Sequence, residues 1–120
     1  MDQDFLSRKV ELAYLTAFYG GLLTDRQKEI LSMYCEDDMS LGEIASVTGI
    51  SRQGVFNTLR RGAEHLFHLE TSLGMAERFR VMYDGLEDAR NLLAQGHDTQ
   101  AREKLDELIR FYSEEDANGL

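Results

Sequence analysis

Apolar and polar residues follow one another along this chain with the period of a helix. In the middle of the chain the apolar positions are separated by four, four, three and three residues: Val55, Leu59, Ala63, Leu66 and Leu69. This spacing places them on one side of a helix. The chain contains no proline and no alternating stretch of useful strand length. The pattern therefore predicts an all-α protein.

The first helix is expected over about Asp4 to Tyr19 and is apolar nearly all round. Gly20 and Gly21 follow it and are expected to end it. A helix of this kind is usually buried on several sides. The pattern therefore predicts that part of its surface is covered by a second subunit.

Two capping boxes mark the next helix starts. Thr24 is followed three residues later by Gln27, and Ser40 by Glu43. In such a pair the hydroxyl accepts a hydrogen bond from a backbone N–H of the helix, and the longer side chain reaches back to the backbone N–H of the capping residue. Helix two is thus predicted from Thr24, closing at the acidic residues 36–38, and helix three from Ser40.

Residues 40–62 have the spacing of a helix-turn-helix. Ala45 is small enough for a helix crossing, and Gly49 suits a left-handed turn before Ser51 caps helix four. The apolar anchors of the second helix are Ile50, Val55 and Leu59. An ordinary helix pair with a glycine turn is the alternative. Gly54 and Gly62 lie inside helix four, and we expect at least one to permit close packing.

Beyond Gly74 the apolar positions take heptad spacing, at intervals of 4-3-4-3-4: Met75, Phe79, Met82, Leu86, Ala89 and Leu93. This seam predicts a dimer or partner element; the alternative is that it belongs to the chain's own core. After the turn "QGHD", a second stripe predicts a last helix in an antiparallel hairpin: Ala101, Leu105, Leu108 and Tyr112. The predicted organisation is a helix-turn-helix domain with its N-terminal helix (1–73), a helical hairpin (74–113) and a polar, frayed tail (114–120).

The formal charge of -9 is unevenly distributed. Counting Lys and Arg against Asp and Glu gives -1 for residues 1–23, -2 for 24–65 and -6 for 66–120. The acidity lies mainly outside the helix-turn-helix, so it does not exclude nucleic-acid binding. No long apolar run and no secretory signal pattern occur, and we expect a cytoplasmic protein without membrane insertion.

Candidate catalytic chemistry is sparse. No glycine-rich phosphate loop follows a strand, and Cys35 has no evident base partner and is expected to be a half-buried apolar residue. His65 and His68 lie one helical turn apart, so a metal site is conceivable, although exposed histidines on helices are far more common. We predict no enzyme activity, no cofactor and no metal.

Helix four is expected to present a polar face to nucleic acid or to a partner. Arg52 could bond a guanine edge, and Gln53 or Asn57 an adenine edge. Phe56 is expected to be exposed, where it could stack on an unpaired base or anchor a protein contact. The alternative is that the arginines only solvate a helix face. The full set of candidate binding residues is Ser51, Arg52, Gln53, Phe56, Asn57, Arg60 and Arg61, with Arg26 and Lys28 of helix two.

The stretch "LTDRQKEILSMYCEDDMSLGEIASVTGISRQGVFNTLRRGAEHL" resembles region four of bacterial sigma factors. More closely, residues 1–73 are similar to the YlxM family of helix-turn-helix proteins, through "LTDRQ", the acidic patch before "SLGEIA", and "GISRQGVFNTLRRGAEHL". Thr48, Gly54 and Gly62 depart from the sigma pattern, which implies a looser unit of the same fold. The resemblance implies a small accessory of the signal recognition particle pathway, linked to the particle's GTPase protein and RNA.

Three hypotheses follow for function. The first is a non-catalytic accessory or regulator in the signal recognition particle pathway, acting through the particle's RNA or its GTPase protein. The second is a DNA-binding transcriptional regulator. The third is a dimeric scaffold whose helix-turn-helix binds nothing. In each case a homodimer is expected, because the chain has more apolar faces than a monomer of this length readily buries.

Overall fold

A computed structural model describes the backbone of residues 3–119 and the side chains of residues 5–113. Within that range the chain forms helices and no strand, which confirms the all-α prediction. Two short 3-10 helices span Gln3–Ser7 and Gly20–Leu22. The α-helices are α1 (Lys9–Tyr19), α2 (Asp25–Cys35), α3 (Leu41–Thr48), α4 (Arg52–Leu73), α5 (Met75–Ala94) and α6 (Asp98–Gly119).

The first predicted helix is interrupted at Arg8. Its backbone angles, φ -103° and ψ 39°, leave the helical region between the 3-10 helix Gln3–Ser7 and α1. The interruption accompanies the insertion of Phe5, which is buried in the core. An unbroken helix from Asp4 was therefore a wrong prediction.

Both capping boxes are present. Gln27 N donates to Thr24 Oγ1 at 3.1 Å, and Thr24 N donates to Gln27 Oε1 at 3.1 Å. Ser40 and Glu43 form the same pair at the start of α3. The starts of α2 and α3 were thus readable from the sequence, because each box satisfies backbone N–H groups that a helix start leaves without partners.

The chain divides into two compact units, residues 1–76 and 77–120. In the first unit, α1, α2 and α4 pack against one another and α3 packs on α4. The centre of this core consists of fully buried apolar side chains: Phe5, Leu12, Ile30, Leu31, Ile44, Val55, Leu59 and Leu66. A Cβ on Gly62 would lie 2.9 Å from Leu31 Cδ1, so this glycine permits close packing of α4 on α2, as predicted.

α1 buries its apolar residues mainly within its own unit. Leu12, Leu15 and Tyr19 are buried, Phe18 is half-buried, and Val10 is 86% exposed. α2 and α4 contact α1 and bury most of these residues. That a second subunit covers the rest of its surface stays a prediction.

The second unit contains most of α5, the turn at Gly96 and α6. Gly96 has φ 81°, which a glycine adopts without steric cost. α5 and α6 approach each other closely at Gly85, where an added Cβ would lie 2.6 Å from Leu108 Cδ2. Ala89, Ala101 and Leu108 are the buried apolar residues of this unit among the residues described.

The predicted seam of α5 is therefore not the face that packs in the hairpin. Ala89 is buried, but the other five seam residues are exposed: Met75, Phe79, Met82, Leu86 and Leu93. The hairpin uses a neighbouring face because glycine and alanine allow a shorter distance between helix axes than Leu and Phe do.

α6 continues through Gly119, so its backbone remains helical across the segment expected to be a frayed tail. The side chains of residues 114–120, including "EED" at 114–116, lie outside the described residues.

Candidate nucleic-acid interface

The turn between α3 and α4 has the local geometry that a helix-turn-helix needs. Gly49 takes a left-handed conformation, with φ 76° and ψ 8°, and ends α3. Ser51 then caps α4, because its Oγ accepts a hydrogen bond from Gly54 N at 3.0 Å. The buried Ile44 and Val55 hold the two helices against the core. The helix-turn-helix predicted from the spacing of Ala45, Gly49 and Ser51 is thus present.

α4 has two opposite stripes. One is buried in the first unit: Val55, Leu59, Gly62, Ala63 and Leu66. At 100° per residue, Gln53, Asn57, Arg60, Arg61 and Glu64 lie on the opposite side. We call these five residues the outer stripe of α4.

Pairs of side chains order the outer stripe. Gln53 Nε2 donates to Asn57 Oδ1 at 3.2 Å, which leaves the amide oxygen of Gln53 and the amide nitrogen of Asn57 available for a ligand. One turn further on, Arg60 Nη1 lies 3.3 Å from Glu64 Oε1. Arg61 is exposed, and within the described residues no ion pair engages it. Along α4 from its N-terminal end, the stripe therefore presents two amides and then two arginines, whose positive charge Glu64 partly neutralises.

Glu64 was not among the predicted binding residues. It lies four residues after Arg60, and the i,i+4 spacing of opposite charges was the signal that could have identified it. Its carboxylate reduces the positive charge that the outer stripe offers to a phosphate.

Arg52 is exposed but lies to one side of the outer stripe. A Cβ on Gly42 would lie 3.8 Å from Arg52 Nε, so the guanidinium extends over the first turn of α3. A shallow hollow of ≈ 270 Å³ opens here, lined by Leu41, Arg52, Gln53 and Phe56. The hollow lies at the start of α4, where a recognition helix makes its first base contacts.

Phe56 is not the exposed aromatic residue that was predicted. Its side chain is half-buried against the core, and its ring centroid lies 5.6 Å from that of Phe5. The prediction failed because the sequence around Phe56 does not show that Phe5 reaches α4 from the far end of the domain. Part of the ring still lines the hollow beside Arg52.

The two candidate binding residues of α2, Arg26 and Lys28, lie in its first turn and next to it. Arg26 Nη1 lies 3.5 Å from Glu29 Oε2, so an exposed carboxylate already balances this cation. The side chain of Lys28 extends along Gly20, since a Cβ there would lie 3.4 Å from Lys28 Cε. Both are exposed, and neither is joined to the outer stripe by a contact among the described residues.

The other candidate chemistry is dispersed. His65 and His68 are exposed on α4. Cys35 is half-buried as predicted, and burial raises the pKa of its thiol to about 11, so the thiolate is scarce at neutral pH. Over the described part of the chain, no group of three or more His, Cys, Asp or Glu side chains could hold a metal ion.

Among the residues that the structure describes, no helix combines the length and the apolar character needed to cross a membrane.

Comparison with known proteins identifies similar sequences. A model of the UPF0122 family, described as a helix-turn-helix protein, YlxM / p13 like, matches residues 6–108. A UPF0122 protein of Thermoanaerobacter sp. (strain X514) is 45% identical over 87 residues, covering 72% of this chain and 71% of that protein. A UPF0122 protein of Bacillus pumilus is 36% identical over 104 residues, covering 87% and 94%.

Proposed function

Since this chain belongs to the UPF0122 family of YlxM-like and p13-like helix-turn-helix proteins, we propose that it binds nucleic acid through α3 and α4. Membership of a helix-turn-helix family suggests nucleic-acid binding in general terms. The observation that carries the proposal is the outer stripe of α4, which stands opposite the buried stripe.

The chemistry of the stripe supports this proposal. Amides such as those of Gln53 and Asn57 form paired hydrogen bonds with base edges, and arginines such as Arg60 and Arg61 contact phosphates. The number of cations is small, so we expect moderate affinity that falls with salt, because each neutralised phosphate adds to the salt slope.

We further propose that the ligand is the RNA of the signal recognition particle, and that the chain acts as a regulatory accessory of that pathway. The similarity of residues 1–73 to the YlxM family supports this role, and it adds the particle's GTPase protein as a partner. The hollow beside Arg52 and Phe56 supports a ligand with an unpaired base, because such a base can pack against an aromatic side chain and stack on a guanidinium plane.

A DNA-binding regulator is the second candidate. The hydrogen bond between Gln53 and Asn57 favours it, because the bond orients two amides at the start of α4, where a helix-turn-helix protein reads the major groove.

Fluorescence anisotropy can separate the two candidates. The pure protein is titrated at physiological salt against folded particle RNA, the same RNA with its GTPase protein, and random duplex DNA. Saturable binding to the RNA or its complex supports the accessory role. Binding to duplex DNA alone, with a steep salt slope, supports the regulator, and no binding to any probe contradicts both.

Variants then locate the contact. Arg61→Ala should weaken binding several-fold and reduce the salt slope by about 0.7–0.9, the change expected for one lost phosphate contact. Arg110→Ala is the matched control, since it removes an exposed arginine from α6. Equal effects of the two variants would contradict a site on α4.

A further inference from the structure

A groove follows one side of the hairpin formed by α5 and α6. One part is a hollow of ≈ 420 Å³ that Val81 and Phe111 line, and a second hollow of ≈ 360 Å³ extends to Gln95. Asp88 and Lys104 line both hollows, so the two are continuous. We call them together the hairpin groove. From position 81 to position 95 it follows α5 for about 21 Å, at a rise of about 1.5 Å per residue.

Apolar side chains and carboxylates line this groove together. Val81 and Phe111 are 42% and 50% exposed, and the buried Leu108 lies between α5 and α6. Three acidic residues and one basic residue line the same hollow: Asp84 and Asp88 of α5, and Glu107 and Lys104 of α6. The groove therefore combines an apolar surface with an excess of negative charge.

The charged side chains of the groove lack partners within the chain. Elsewhere on α5, Glu87 pairs with Arg90 three residues later. Within the described residues, no ion pair or side-chain hydrogen bond engages the four charged residues of the groove. Their carboxylates thus give the groove a negative potential that the chain itself does not neutralise.

This charge restricts what can occupy the groove. The phosphates of a nucleic acid or of an anionic lipid surface would be repelled. A second copy of this chain would bring the same acidic groove and a formal charge of -9. A complementary occupant has cationic side chains for the carboxylates and apolar side chains for Val81 and Phe111.

We propose that the hairpin groove binds a cationic amphipathic helix of a partner protein. The length of the groove accommodates about four helical turns. An amphipathic helix binds in this way by placing its apolar face in a groove, while lysines or arginines at its edges face the carboxylates. The groove consists only of residues of the second unit. The proposal therefore does not rest on nucleic-acid binding by α4.

A labelled peptide tests the proposal with the full chain and without nucleic acid. The probe is a fluorescein-labelled peptide of about 15 residues, with leucines at helical spacing and lysines at the other positions. We expect saturable binding that weakens with salt, because salt screens exposed charges. A peptide of the same composition in scrambled order should bind at least about five-fold more weakly. Equal binding of the two peptides, or no saturable binding, would overturn the proposal.

Charge reversal locates the binding site. Asp88→Lys places a cation in both parts of the groove and should lower the affinity for the probe by about ten-fold, because an attraction becomes a repulsion. Asp106→Lys is the matched control, since it makes the same change at an exposed position of α6 that lines neither hollow. Equal losses in the two variants would indicate attraction to the overall charge of the chain and would overturn the site.

Truncation tests the apolar part of the groove. Phe111→Ala should lower the affinity for the probe by about five-fold, as loss of an aromatic contact residue does. Ile109→Ala, at a residue of α6 that is 64% exposed and lines neither hollow, should leave the affinity unchanged. Circular dichroism should be unchanged in both variants, because both side chains are exposed. An unchanged affinity in Phe111→Ala would contradict binding in the groove.

Discussion

The hydroxyl of Tyr19 in α1 donates a hydrogen bond to Glu70 Oε1 in α4 across 2.6 Å. The same hydroxyl accepts from Met75 N at 3.1 Å, and Glu70 Oε1 accepts from Ala76 N at 3.1 Å. The first N–H groups of α5 are thus satisfied by side chains from two other helices. This pair caps α5 in place of a residue just before it, where Gly74 has no side chain to offer.

Removing the Tyr19 hydroxyl should destabilise the first unit. Burial raises the pKa of Tyr19, so its hydroxyl stays protonated and continues to donate to Glu70 at neutral pH. Tyr19→Phe should lower the free energy of unfolding by about 1–3 kcal/mol, because Met75 N and Glu70 each lose a partner. Urea unfolding measures the change. Tyr83→Phe, at an exposed tyrosine, is the control, and an equal loss in both variants would contradict the role of the pair.

A methyl group at Gly85 should disturb the hairpin. Gly85→Ala places a Cβ within 3.1 Å of three Leu108 atoms. Overpacking costs about 1–3 kcal/mol, and the better helix propensity of alanine returns up to about 1 kcal/mol. We expect thermal unfolding at a lower melting temperature than that of the parent chain. The double variant with Leu108→Ala should recover part of this loss. Gly21→Ala, where an added Cβ meets nothing within 4 Å, is the control.

Phe56 should contribute to stability as well as to any binding. Its packing on Phe5 predicts that Phe56→Ala lowers the free energy of unfolding by about 1–3 kcal/mol, less than for a fully buried ring. Chemical denaturation measures this loss, and Val47→Ala, at an exposed residue of α3, should cost much less. If Phe56→Ala were as stable as the parent chain, the contact with Phe5 would be of no consequence in solution.

Neutralising the carboxylate of the outer stripe should strengthen nucleic-acid binding. Glu64→Gln leaves Arg60 without its ion-pair partner and removes one negative charge from the proposed interface. We expect affinity to rise by about two-fold to ten-fold, with stability changed by less than about 1 kcal/mol. Anisotropy titrations measure the affinity. Glu87→Gln, which breaks a similar pair with Arg90 on α5, should leave affinity unchanged.

The capping box of α3 should make the free energy of unfolding depend on pH. The hydrogen bond from Ser40 N lowers the pKa of Glu43 below its usual range. A carboxyl whose pKa is lower in the folded than in the unfolded state stabilises the fold above its unfolded pKa of about 4.3. That contribution is lost as the pH falls through the folded pKa. Glu43→Gln should weaken the dependence of the free energy of unfolding on pH in this range, whereas Glu103→Gln, on α6, should not.

The local features of this protein could be predicted from its residues alone. The two capping boxes, Gly49 and Ser51 predicted where α2, α3 and α4 begin, because a cap and its N–H group lie within three residues of each other. The buried stripe of α4 was equally readable, since helical spacing alone places its residues on one side. Four residues of the outer stripe were predicted from the same spacing: Gln53, Asn57, Arg60 and Arg61. Glu64 was not predicted, and Arg52 and Phe56, which were expected beside them, lie off the stripe.

Which of those faces meet could not be predicted in this way, because it depends on how complete helices pack. Phe5 buries part of Phe56 from 51 positions away, and Gly85 rather than the heptad seam receives Leu108. Tyr19 and Glu70 cap α5 across α1 and α4. Such contacts depend on the distance at which whole helices pack, and that distance is set by the summed volumes of side chains far apart in the chain.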